Sequence, residues 1–392
     1  MAPIATQTPV STSVAGKNKL VIEGELDFSS SVIAADLRKN NYENYKYKDL
    51  IPQYPETSWA PLELVEIPKD RALLADPSNN YANLFRDATL VRHLNPKIGT
   101  EIYGVKLAEL DDTQKNELAL LLSNRIVVFF KDQEDLDLDK QLEFGRYFGP
   151  LHKHPSAGYP VINGKEYDEV VAIWSDTFRG KQGINTGFPA WHSDATFEKQ
   201  PPAYALLKII TNPSTGGDTL WTSGYALYDA LSPSLQKYLE GLTALHSDKS
   251  IYEGFSKAGK HVRRQVVYNE HPVIRTHPVT GYKSLFVNPN FTQSIVGIPK
   301  SESDAILKYL FTLISTYQEG TVRYKWSTND VAIWDNRPSL HAPTSDFDVE
   351  LRHGVRVTPI GEAPYFDPNS KSQQADWNAD LKKRQEAAAS GN

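Results

Sequence analysis

The stretch Trp191-His192-Ser193-Asp194 sets one imidazole and one carboxylate two residues apart. In an extended strand alternate side chains share a face, so His192 and Asp194 project into the same space. A neutral imidazole and a carboxylate are borderline-to-hard donors. With one further histidine they make the two-His-one-carboxylate set that leaves open positions on an Fe(II) ion. A His-x-Asp triplet is also an ordinary polar strand edge, so its meaning depends on what else the chain supplies.

The second histidine comes in Asp330-Val331-Ala332-Ile333-Trp334-Asp335-Asn336-Arg337-Pro338-Ser339-Leu340-His341, a short apolar strand, a turn signal and then an imidazole. Arg352 and Arg356 follow, spaced i, i+4. Between the halves, Gly216-Gly217-Asp218-Thr219-Leu220-Trp221 reads as a tight turn feeding a strand. With these motifs the chain, from roughly Leu94 to Tyr365, resembles the taurine dioxygenase (TauD) family of Fe(II)- and 2-oxoglutarate-dependent dioxygenases, in its fungal sulfonate-dioxygenase form. The resemblance implies that His192, Asp194 and His341 are the iron ligands and catalytic centre, that 2-oxoglutarate is the cosubstrate and that O2 is the oxidant.

Composition sets bounds. A length of 392 residues accommodates a decorated all-β barrel as one unit. The net charge of -6, from 42 basic and 48 acidic residues, gives no basic footprint for nucleic acid. Cysteine is absent, which excludes disulfides and thiolate metal sites and fits a reducing, cytoplasmic setting. No apolar run reaches the length of a membrane span, so no membrane association is expected. Met1 to Gly16 reads as a disordered leader, not a signal or transit peptide.

Three segments are expected: an N-terminal extension at 1–93, a dioxygenase domain at 94–366 and a polar tail at 367–392. In the extension, Leu20-Val21-Ile22 suggests a short strand. Tyr42 to Tyr54 is tyrosine-rich, and Pro52, Pro55 and Pro61 prevent a long helix. It either wraps the main domain or forms an arm exchanged between subunits of a homo-oligomer, because exposed aromatics need a surface to cover.

Beyond it, Asp111 caps an amphipathic helix through Leu122, and Arg125 to Phe130 is a buried strand. A second helix spans Asp137 to Tyr147, and Ser232-Pro233 opens one reaching Leu239. A fourth helical pattern runs from Ser301 to Tyr317 with a Ser301/Asp304 box. Strands are expected at Val170 to Trp174, Tyr204 to Ile210, Thr219 to Trp221, Val266 to Tyr268, Val273 to Thr276, Ser284 to Asn288, Val322 to Trp326, Val331 to Trp334 and Val355 to Ile360. His246 to Arg264 is polar and gives little. In the tail, Leu381 to Ala389 reads as helical within an otherwise disordered stretch. Short strands with inserted helices argue for an α+β protein on a β-sandwich or jelly roll. The resemblance sharpens this to a double-stranded β-helix core with flanking helices.

The resemblance assigns Arg352 to the far carboxylate of 2-oxoglutarate, which an arginine fork meets in bidentate fashion, and Thr219 to the supporting hydroxyl. By itself Arg352 reads as an ordinary surface ion pair. Arg356 matches the family position for the substrate's sulfonate, and His154 would join it in a cationic end to the pocket. A local pairing of Arg356 with Asp346 or Asp348 is the alternative. His152 is either a second site histidine or part of an exposed loop.

Ser175 to Ala190 reads as a Gly-rich lid, with Phe188 and Phe197 lining the pocket, or as a simple connection. Phe188 stands where the taurine enzymes carry a polar approach, which favours a longer or more apolar sulfonate, or a sulfate ester. The expected reaction hydroxylates an alkanesulfonate, a small anionic organic substrate, at the carbon bearing sulfur. The unstable hydroxysulfonate then gives an aldehyde and sulfite, with succinate and CO2 as coproducts. The alternatives are a hydroxylase or desaturase of a sulfate ester or carboxylate metabolite, and a catalytically idle metal-binding β-barrel.

Overall fold

The computed structural model describes residues 42–176, 191–347 and 350–389. The leader, the Leu20-Val21-Ile22 strand and most of the lid stretch, Phe188 included, lie outside them.

Ten strands position the site: β1 (Leu90–His93), β2 (Thr100–Tyr103), β3 (Val127–Phe130), β4 (Val170–Asp176), β5 (Tyr204–Thr211), β6 (Thr219–Ser223), β7 (Thr321–Tyr324), β8 (Val331–Asp335), β9 (Ser339–Pro343) and β10 (Leu351–Val357). Seven form a major sheet in the order β1-β2-β3-β8-β5-β10-β4, antiparallel except for the β2–β3 pair. A minor sheet has the order β7-β6-β9. The architecture is α+β, with helices beside mixed sheets.

Residue alternation decides which side of the major sheet each side chain serves. Val128, Phe130, Leu206, Val331 and Ile333 pack outward with Leu118 and Leu122 of the helix Asp112–Arg125. The intervening Val127, Phe129, Ala205, Leu207, Ile209, Ala332 and Trp334 face inward, onto Trp221 and Tyr324 of the minor sheet. An apolar layer therefore joins the two sheets, and both faces of β8 are buried. That double burial is why Val331 to Trp334 reads as an unbroken apolar run.

The helix starts follow from capping chemistry. The Asp111 carboxylate accepts from the Gln114 amide, and the Gln114 side chain accepts from the Asp111 amide in return. Asp137 caps Leu138–Phe148, and Ser232 caps Pro233–Leu239. The expected Ser301/Asp304 box is not formed. The helix Lys300–Thr316 begins after Pro299 without a side-chain cap, and Asp304 pairs with Lys300 instead.

The polar region around His246 holds a strand, Thr243–Ser247, and a helix, Lys249–Lys257. That strand is central to a further sheet with Tyr268–Pro272 and Thr292–Ile295. In the described part of the extension, Tyr42, Tyr45 and Tyr47 cover Trp174 and Leu351 of the same chain. The tail is more ordered than expected: Gln373–Ala389 is one helix, anchored where the Gln374 amide donates to Asp229 at 2.9 Å.

Candidate active site

His192 does not lie in a regular strand. It forms an isolated bridge with His341 of β9, through reciprocal bonds from the His192 amide to the His341 carbonyl at 2.9 Å and back at 2.7 Å. Asp194 sits in the turn that follows, with Ala195 at φ 47°. The two side chains still converge, because Asn336 holds the turn. Its Oδ1 accepts from the Asp194 amide at 2.8 Å, and its Nδ2 donates to the carbonyls of Asp194 and Pro202 at 3.0 Å each.

His341 reaches the same space from the minor sheet. Its neighbours Leu340 and Ala342 point to the outer core, so His341 points inward beside Trp221 and Trp334. One ligand atom from each of His192, Asp194 and His341 lies within 4.8 Å of the others. Nε2 of His192 and of His341 are 3.5 and 3.8 Å from Asp194 Oδ1. Burial alone would push the Asp194 carboxyl up, but Arg356 and the two imidazoles hold it well below the carboxylate range. Burial lowers the His341 pKa, with His192 adding to the effect, so the ring is neutral. Asp194 Oδ2 is buried without a hydrogen-bond partner among the described residues. Two imidazoles and an ionised carboxylate with an unused oxygen fit a divalent cation, because a buried acceptor left unpaired is otherwise costly.

The arginines come from the opposite sheet. Arg352 and Arg356 are four apart on β10 and share its inner face, Arg356 lying opposite Leu207. Arg352 is 3% exposed. Its Nε donates to the Gly217 carbonyl at 2.8 Å and its Nη2 to Thr219 Oγ1 at 3.1 Å. Burial lowers its pKa to about 10. Among the described residues it has no carboxylate partner, so the surface ion pair is not what the structure shows.

Gly217 is required here. Its φ is +68°, and a Cβ would lie 3.2 Å from Arg352 Cδ and 2.8 Å from Pro213 Cγ. Trp326 Nε1 also donates to Thr219 Oγ1, at 3.0 Å. With two donors already accepted, the Thr219 hydroxyl proton is directed elsewhere, available to an anion on Arg352.

Arg356 pairs with neither Asp346 nor any other local acid described. Its Nη1 donates to Asp194 Oδ1 at 2.7 Å, and Asp346 instead pairs with Arg323. His154 does not add a second positive charge. Its Nδ1 accepts from the amides of Ser156 and Ala157 at 3.2 and 3.0 Å, and desolvation, His152 and Arg356 hold it neutral. It is an Nε2–H donor beside one cation. His152 is not in an exposed loop: it is buried, with Nε2 2.9 Å from Glu198 Oε1. Burial would raise Glu198, but His152 and Arg264 bring it down to about 2.

Phe197 packs edge-on to His154, and Phe291 edge-on to His192, so these rings wall the space near the imidazoles. Phe291, Asn336 and Trp326 were not legible as site residues. Asn336 alone had a signal, its place in the turn after β8.

The chain belongs to the family described as "Taurine catabolism dioxygenase TauD, TfdA family", whose model matches residues 90–358. It is accordingly an Fe(II)- and 2-oxoglutarate-dependent dioxygenase. It is 46% identical over 335 residues to the Schizosaccharomyces pombe "Putative alpha-ketoglutarate-dependent sulfonate dioxygenase", covering 85% of this chain and 84% of that protein. It is 36% identical over 339 residues to the Saccharomyces cerevisiae alpha-ketoglutarate-dependent sulfonate dioxygenase, covering 84% and 82%. A solved taurine dioxygenase from Burkholderia xenovorans superposes with a TM-score of 0.60 at 33% identity, covering 73% of this chain and 93% of that one.

Proposed function

We propose that this protein is an alkanesulfonate dioxygenase that hydroxylates the carbon bearing sulfur. The observation that carries the reading is the pair of inward arginines on β10, one beside the His192–Asp194–His341 cluster and one deeper among neutral acceptors. Two fixed cations on one strand face suit two anionic ends, the far carboxylate of 2-oxoglutarate on Arg352 and a sulfonate on Arg356. The facing sheets are read as a double-stranded β-helix within a catalytic domain at 94–366.

His192, Asp194 and His341 are the residues that would hold iron; when bound, Fe(II) with 2-oxoglutarate and O2 supplies the oxidising chemistry. Arg352 orients the cosubstrate, with the Thr219 hydroxyl as second donor. Arg356 fixes the sulfonate, and His154 Nε2–H adds a neutral hydrogen bond to it. Holding the anionic head in a fork selects which carbon is presented, the kind of positioning a site-selective oxidant needs. Phe197 and Phe291 keep that carbon in an apolar wall. The product hydroxysulfonate loses sulfite to leave an aldehyde.

A sulfate ester is the second reading, because the same fork accepts either group and a Pseudomonas putida relative, 33% identical over 281 residues, is an alpha-ketoglutarate-dependent sulfate ester dioxygenase. Incubation with Fe(II), 2-oxoglutarate and a panel of sulfonates, sulfate esters and carboxylates separates them. Sulfite release matched by succinate is the expected result, sulfate release supports the second reading, and turnover of carboxylates alone overturns both.

A further inference from the structure

Arg356 is only half used by the protein. Its Nη1 is bound to Asp194 Oδ1, while its Nε is buried and has no acceptor among the described residues. The oxygen it holds is the same Oδ1 that lies 3.5 and 3.8 Å from the two imidazole Nε2 atoms. One guanidinium therefore touches the carboxylate of the candidate metal site with one edge and leaves another donor for a second acceptor. The side chain is only 11% exposed, so solvent screens its charge weakly.

We infer that Arg356 links the two sites energetically, so that a sulfonate and the metal ion bind with positive cooperativity. This rests on the sulfonate reading of Arg356 given above. With no anion bound, the fixed positive charge beside Asp194 opposes a divalent cation and draws electron density from the oxygen that would ligate it. An anion on Nε cancels that charge and competes for the guanidinium, which makes Oδ1 a better ligand. Like charges a few ångströms apart in a partly dry site interact far more strongly than across water. The coupling is reciprocal by thermodynamic necessity: whatever factor the sulfonate adds to metal affinity, the metal adds to sulfonate affinity.

Co(II) is the probe, read by its visible absorption, with 1-butanesulfonate as the anion and 2-oxoglutarate omitted so that no turnover enters. In the full-length wild-type chain, saturating butanesulfonate is expected to tighten Co(II) binding by about fivefold or more. Co(II) should tighten butanesulfonate binding, measured by calorimetry, by the same factor. Arg356→Gln, which keeps a donor but removes the charge, is expected to bind Co(II) more tightly than wild type without anion and to lose the response to butanesulfonate. Arg356→Lys, which keeps the charge, is expected to retain a response of the same sign.

Unchanged wild-type Co(II) affinity with and without butanesulfonate overturns the linkage, even if neither variant folds. If Arg356→Gln also loses butanesulfonate affinity in that case, the substrate role of Arg356 survives without the linkage. Equal butanesulfonate affinity in wild type and Arg356→Gln overturns both.

Discussion

Arg352 is a cation kept away from water that, among the described residues, donates only to neutral acceptors. Such a group is costly alone and inexpensive beneath a bound carboxylate, so its removal should be felt mainly by 2-oxoglutarate. Losing a buried charged partner costs about 2–5 kcal/mol, so Arg352→Met should weaken 2-oxoglutarate binding by roughly 30-fold or more. Calorimetry on Co(II)-loaded protein would measure this, and butanesulfonate affinity should move much less. An equal loss of both affinities would end the division of labour between the two arginines. Asn336 predicts a different pattern. Asn336→Ala removes three bonds around Asp194 and strands buried main-chain groups, which should cost about 2–3 kcal/mol of stability and weaken Co(II) binding together. Chemical denaturation and metal titration of the same variant check it. At this scale His192 and Asp194 could be paired from their spacing, whereas Arg352 and Arg356 acquired candidate roles only through the family resemblance, since an arginine alone reads as an ordinary surface ion pair. Trp326 and Phe291 were silent and Asn336 showed only its place in a turn, since an amide clamp, an indole donor and a ring wall acquire meaning only from the partners they meet.

At the scale of elements, β10 joins the site to the N-terminal segment. His353, next to Arg352, accepts at Nδ1 from the Tyr45 hydroxyl at 2.8 Å, and its Nε2–H donates to the Leu50 carbonyl at 3.1 Å. Burial lowers its pKa to about 4, whereas an unfolded histidine titrates near 6.5. The unfolded chain therefore binds the extra proton first as pH falls. The contribution is complete above about pH 6.5 and is lost progressively towards pH 4, with a ceiling of about 3 kcal/mol. Denaturation between pH 7 and 4 should show this slope, and His353→Asn should flatten it; an unchanged slope would place the acid sensitivity elsewhere, His271 being the other buried histidine near 4. The apolar strands and capped helices could be read because their patterns are periodic or their caps chemically distinctive. The strand Thr243–Ser247 could not, since its buried His246 and Ser247 look like solvent-facing residues until their neighbours are known. Strand β9, short and ended by prolines, was seen only as a turn and a histidine.

Over the whole molecule, a buried ionic knot ties distant segments together. Arg337 bonds both Asp335 oxygens and reaches Asp70 at 2.6 Å, while Glu362 meets Arg337 and Arg275. His277 lies 2.9 Å from the same Asp335 carboxylate. Asp70 lies before β1 and Glu362 after β10, so the described segment around Asp70 is tied into the folded body. Asp70→Ala should destabilise the protein by about 3 kcal/mol or more, because it breaks a buried pair from one side. A shifted urea midpoint with unchanged m-value would measure it, and a negligible change would mean the knot is held by Asp335 and Glu362 alone. No helix among the described residues is long and apolar enough to cross a membrane. The His192–His341 bridge has a wider consequence. The two imidazoles are spaced by main-chain bonds that substitutions other than proline leave in place. Side chains around the cavity are thus free to diverge over evolutionary time without disturbing the platform beneath, which makes new substrate preferences accessible by small steps.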